Sequence, residues 1–127
     1  MKDLFEAIYT RYQATGLTTL LSAFYNTEAP EGAVFPYGIF SLVSDTPDWT
    51  FSENFENCLI QFDLFSKTVN AVEVCSLYEF LKDAFDFQDL FINNHITVSM
   101  VRENSNLIRA EDVWQFSITY RVMLQKD

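Results

Sequence analysis

Histidine occurs once in this 127-residue chain, cysteine twice, and glycine and proline only three times each. Each scarcity removes a kind of chemistry. Three glycines leave little from which to build a backbone cradle for a nucleotide phosphate, and neither GxSxG nor HExxH occurs. His95 has no second imidazole with which to share a metal. A lone histidine without an oriented partner makes no catalytic site, so it reads as structural or solvent-facing. Cys58 and Cys75 form no CxxC pair; in a predicted strand and a predicted helix they read as reduced, small buried hydrophobes. No catalytic residue, cofactor or metal ligand is assigned, and the chain is expected not to be an enzyme.

Cations are also few. Eight Lys and Arg against eighteen Asp and Glu give a net charge of −10, which repels phosphate backbones and argues against tight nucleic-acid binding. At this acidity neighbouring carboxylates, such as Asp83 with Asp86 or Glu111 with Asp112, are expected by chance and read as solvated faces. No apolar run approaches the roughly 20 residues that span a bilayer, so no membrane partner is expected. The start, from Met1 to Glu6, is amphipathic and acidic where a signal peptide is basic and then apolar, so the expected setting is a cytosol.

What the chain has is apolar bulk: 49% hydrophobic and 17% aromatic residues, the composition of a packed globule of one domain over residues 1–127. Thirteen Phe exceed the needs of one small core. They imply either a Phe-rich interior or surface kept for a partner, since aromatics concentrate at interface centres.

Periodicity sorts these residues. From Asp112 to Gln125, Trp114, Phe116, Ile118, Tyr120, Val122 and Leu124 alternate with Gln115, Ser117, Thr119 and Arg121, a long strand with one dry face. Strands are also expected from Phe35-Pro36-Tyr37 through Val43, with Pro36 suited to a strand's first residue, from Glu56 to Ser66 and from His95 to Glu103. Leu4, Phe5, Ile8 and Tyr12 recur at helical steps between Asp3 and Ala14, and a second short helical piece covers Thr18 to Phe24. The strongest helix runs from Val69 to Phe87, with Val74, Leu77, Tyr78, Leu81 and Phe85 on one face. Asn70 is its expected cap, and Glu73 the partner in a capping box. The expected fold is α+β: an antiparallel sheet of about four strands, with the long helix and the N-terminal helical segment packed on one face.

Two polar stretches remain. Residues 104–111 read as a loop, with Arg102 and Arg109 near its ends, free to pair with carboxylates of a neighbouring subunit or to stand as isolated surface charges. Ser44 to Asn57 reads as a protruding hairpin or long loop. Its carboxylates Asp45, Asp48, Glu53 and Glu56 follow no calcium-loop spacing, so the loop is read as solvated or docked on a basic partner. Pro47, Asp48, Trp49, Phe51 and Phe55 are the candidate interface residues, chosen for hydrophobicity and loop position.

In order and spacing, Phe35-Pro36-Tyr37, Ser44-Asp45-Thr46-Pro47-Asp48, Gln61-Phe62-Asp63-Leu64-Phe65-Ser66, the helix after Asn70 and the alternating last strand resemble the phage tail-completion family. These are the tail terminator, or tail-to-head joining, proteins of long-tailed bacteriophages, the siphoviruses. The resemblance implies a structural protein of the virion that forms a hexameric ring with its own copies at the head-proximal end of the tail. Such a ring ends the tail tube, docks the head connector (neck) protein and lets DNA pass through. It would be assembled in the host cytoplasm. The alternatives are a non-enzymatic acidic adaptor of the same fold class and, third, an enzyme whose helix and curved sheet enclose a pocket.

Overall fold

The computed structural model describes residues 2–49 and 54–126; the side chains of Asp48 and Trp49 are outside that description, as is Phe51. The sheet is organised by the alternating segment that closes the chain. This strand, β5 (Val113–Lys126), lies between β3 (Asn54–Ser66) and β4 (His95–Ala110) and is antiparallel to both. On its dry face Ile118, Tyr120, Val122 and Leu124 are buried. Trp114 and Phe116 are half-buried near the end of the sheet.

β2 (Tyr37–Trp49) pairs with β3 as a long antiparallel hairpin, and β1 (Phe24–Asn26) adds in parallel to β2, giving the order β1-β2-β3-β5-β4. The sheet thus has five strands rather than about four, and one pair is parallel. β1 was expected in a helical piece and loop, because three residues are too few to display a period. The short helix α2 (Leu17–Leu20) is correspondingly shorter than the expected segment to Phe24.

α1 (Lys2–Gln13) and α3 (Val72–Phe85) both pack on the face that carries Phe40, Cys58, Ile60, Phe62, Leu64 and Tyr120. Leu4, Ile8 and Tyr12 of α1 and Val74, Leu77, Leu81 and Phe85 of α3 complete the core. Phe62 sits at its centre, with ring centroids 4.8 Å from Phe85, 5.5 Å from Tyr120 and 6.0 Å from Phe24. The Phe surplus is partly core, therefore, and partly surface.

α3 begins three residues later than expected and ends two earlier. Ala71 takes the N-cap position, while the Asn70 carboxamide accepts a bond from the Val72 N–H at 3.0 Å. Glu73 makes no capping box, because its carboxylate accepts from the buried Ser66 hydroxyl at 2.7 Å and ties the helix start to the end of β3.

Candidate assembly interface

The stretch read as a protruding hairpin or long loop is strand on both of its described sides, and the one read as a loop, residues 104–111, is mostly strand. β2 continues to Trp49 and β3 starts at Asn54, so residues 44–49 and 54–57 form ladder rungs: Pro47 pairs with Glu56 and Asp48 with Phe55. Turn-type residues are held in register by the hairpin, and Pro47 is tolerated because β2 is the sheet edge there, β1 reaching only to Phe40. Pro47, Asp48, Trp49 and Phe55 therefore lie toward the far end of the β2–β3 pair, in keeping with the hairpin alternative for this stretch. Pro47 is exposed and Phe55 half-buried. Residues 104–110 likewise belong to β4, which turns into β5 through Glu111 and Asp112. Glu111 adopts a left-handed φ of 58° at that turn.

Arg102 and Arg109 are engaged within the chain. Arg102 grips Asp86 through Nε at 3.2 Å and Nη2 at 3.3 Å, and its Nη1 donates to the Tyr78 hydroxyl at 2.7 Å. The Tyr78 hydroxyl also shares a hydrogen bond with Ser105 Oγ at 2.9 Å. The buried Tyr120 hydroxyl donates to the same Asp86 carboxylate. Burial, then the bond to Asp86, pushes the Tyr120 phenol well above its ordinary value, and the Asp86 hydrogen bond raises Arg102. Arg109 stacks on Trp114, 4.6 Å from the ring centroid, and donates to the Thr68 carbonyl.

Asp86 is also where α3 stops, and the loop from Phe87 to Asn94 leaves from it. Phe87 takes a left-handed φ of 57° while its N–H bonds the Met100 carbonyl, an arrangement that turns the side chain outward. Phe87 is 78% exposed and Phe91 is 98% exposed. Phe91 and Ile96 line one shallow depression, Phe87 and Val98 the next, and the two depressions share Asp89 and Thr97. Neither phenylalanine was marked in the sequence as surface: Phe87 ends the expected helix, and Phe91 falls between that helix and the strand expected from His95.

On the other flank of α1 an open groove of about 630 Å³ runs beside β1, lined by Phe5, Tyr9, Phe24, Tyr25 and Phe40 together with Glu6. Its floor is preformed: Phe24 stacks on Tyr12 at 4.5 Å and on Phe40 at 4.9 Å. Gly38 makes room for that stack, since a Cβ there would stand 2.8 Å from Phe24 Cδ1.

The sheet face opposite the helices is covered by no element among the described residues. Tyr37, Ile39, Leu59, Phe65 and Met123 lie half-buried on it, and the buried Asp63 accepts from Gln61, Gln115 and Ser117. That network satisfies the carboxylate with side chains of its own face.

Of the four carboxylates grouped in sequence, Asp45 and Glu56 come together on the helix side of the hairpin with Cys58; Glu53 lies outside the described residues. The Cys58 thiol lies 3.7 Å from Asp45 Oδ1 and donates to it. Burial, reinforced by Asp45 and Glu56, pushes the Cys58 thiol up to about 12. Glu56 is raised by burial and by its bond with Asp45. The bonds of Cys58 and Glu56 to Asp45 tie β3 to β2 across the hairpin. His95, at the start of β4, is half-buried and bonds the Asn93 carbonyl at 2.9 Å through Nδ1.

Among the described residues the architecture is that of a two-layer α+β protein, with two helices and a helical turn over one face of a sheet whose outermost strands, β1 and β4, each pair with one neighbour. No protein-family model matches the chain, and no curated protein matches its sequence. Among solved structures, a chain described as part of the virion of a native gene transfer agent particle shares the fold. The TM-score is 0.82 and the identity 16%, and the match covers 98% of this chain and 96% of that one.

Proposed function

We propose that the protein is a structural component of a phage-like virion, forming a ring that ends the tail tube at its head-proximal end and joins it to the head connector. The observation that carries this reading is the near end-to-end fold match to a chain of a gene transfer agent virion, with so little left over on either side. The order of elements that resembles the tail-completion family leads to the same place from the sequence. In this role six copies surround the passage for DNA, and the acidic chain, at −10 per copy, offers a polyanion a surface to which it does not adhere.

The geometry suits a tile. Among the described residues no strand pairs with the outer edge of β4, whose first half meets the loop from α3 at His95 and Met100, or with β2 beyond Phe40, and large apolar side chains stand on the surface near each. A ring is built from heterologous contacts, in which one patch of each copy meets a different patch of the next.

The test is electron microscopy of the tail tubes of the particle that encodes this protein, with and without the purified chain. The reading predicts one added ring at a single end of each tube and tubes that then accept heads. Protein that stays in solution as a monomer and never adds to tubes overturns it and leaves the acidic adaptor.

A further inference from the structure

We infer that the loop between α3 and β4 and the groove between α1 and β1 are the two halves of one contact between copies of this chain. Phe91 and Phe87 of one copy seat among Phe5, Tyr9 and Tyr25 of the next. The inference rests on the ring reading and deepens it by naming the surfaces.

Three observations converge. The first is exposure: one loop carries a phenylalanine 98% exposed and another 78% exposed, each with a half-exposed Ile96 or Val98 in the same depression, and the two depressions meet at Asp89 and Thr97, an apolar projection that a free surface does not favour. The second is position. Ala7, Arg11 and Ala14 of α1 face Gln88, Asp89 and Phe91 on one flank of the helix, whereas Phe5, Glu6 and Tyr9 face the groove on the other. The projection thus stands toward the β4 edge and the groove toward the β1 edge, as a head-to-tail contact requires and as a two-fold contact does not.

The third is charge. Residues 24–66, which make β1, β2 and β3, hold seven carboxylates and not one Lys or Arg. Residues 86–126, which make the projecting loop, β4 and β5, hold four cations against five carboxylates. Each copy is therefore strongly acidic toward the groove edge and close to balanced toward the projecting edge. Juxtaposing these edges sets an acidic surface against a nearly neutral one, while groove-to-groove pairing of two acidic edges is disfavoured by like-charge repulsion.

Size is consistent with this. Aromatic side chains bury about 150–250 Å² each, so two phenylalanines provide about 300 Å² or more of the roughly 800 Å² per partner in a stable interface. Ile96, Val98 and the β4 edge are placed to supply the rim. Two aromatic anchors in a preformed aromatic groove are the composition of an interface centre.

The two halves can be broken one at a time. Phe91→Asp removes the projection without touching the core, and Tyr9→Asp spoils the groove, with Tyr9→Ala as the second form if the acid lowers the melting temperature. Self-association is measured by sedimentation velocity at the highest soluble concentration, with thermal melts confirming each fold. Each variant alone is expected to weaken self-association by about 30-fold or more, the effect of losing a hot-spot aromatic. Mixed in equal amounts, the two variants are expected to form 1:1 dimers and nothing larger. Each pair then retains one intact projection in one intact groove, and both outer ends are dead. Wild-type assembly matched by both variants overturns this contact while leaving the ring reading standing. Dimers formed by either variant alone also overturn it, since they require a two-fold contact. A wild-type chain that is monomeric at every concentration and on tubes removes the ring reading and this inference with it.

Discussion

Asp86→Ala is the perturbation whose cost can be worked out group by group. The carboxylate accepts two bonds from Arg102 and one from Tyr120. The Arg102 side chain is 33% exposed, so once released its guanidinium finds water, and losing the ion pair costs about 1 kcal/mol. Tyr120 is fully buried, and its stranded hydroxyl adds about 1–3 kcal/mol. The sum is about 2–4 kcal/mol. For a chain of this length that lowers Tm by roughly 7–15 °C, taking the unfolding entropy per residue of an average protein. Urea denaturation of a double-mutant cycle isolates the larger part. In a Tyr120→Phe background no hydroxyl remains to be stranded, so Asp86→Ala should cost only about 1 kcal/mol there. Equal costs in the two backgrounds, within about 0.5 kcal/mol, would mean that Asp86 does not hold Tyr120, and the reasoning fails. The cluster matters beyond stability because the Phe87 to Asn94 loop leaves from Asp86. The same variant should loosen that loop, read as faster amide exchange at Phe87.

Two further outcomes are expected. Gly38→Ala drives a Cβ to 2.8 Å from Phe24 and should cost about 1–3 kcal/mol in chemical denaturation, with a changed near-ultraviolet aromatic signal; no loss would mean the Phe24 stack yields freely. Glu56 has its folded pKa raised, so the folded state holds its proton longer than the unfolded state does, and stability falls as pH rises through the carboxylate range. Glu56→Gln should therefore stabilise the protein at pH 7, with the gain gone below about pH 4, as read from urea midpoints at both; a loss at pH 7 would refute the assignment.

The parts of the fold that were legible in sequence are those with one dry face. β5 and α3 each bury one side against the core, so hydrophobicity alternates or recurs along them, and their pattern could be read directly. The second half of β4 and the end of β2 have no such contrast. They are edge strands wet on both sides, and Asn104, Asn106, Asp45 and Pro47 carry turn chemistry that backbone pairing with β5 and β3 overrides. β1 is too short to show any period. The Asp86 cluster joins residues 16 and 34 positions apart, and nothing local in Arg102 or Tyr120 announces a partner. The acidic group of Asp45 and Glu56 was legible as a cluster, but Cys58 was not, because the thiol joins it across the hairpin.

The surface features follow the same logic. Residues 47–55 drew attention as a hydrophobic stretch in polar company, a contrast visible along the chain. Phe87 was hidden because it looks like a continuation of the apolar stripe of α3, and Phe91 because it stands in a connection with no period to say which way it faces; the stop at Asp86 is what frees both. The groove is assembled from α1, β1 and β2, three segments with no shared sequence signal.

The proposed tile, with opposite edges that fit each other at a fixed rotation, is open to a check that needs no partner: class averages of the purified, concentrated protein by electron microscopy. Closed rings of one cyclic symmetry, with six copies, are expected, and they should disappear in Phe91→Asp. Isologous dimers, or a field of monomers at every concentration, would contradict it.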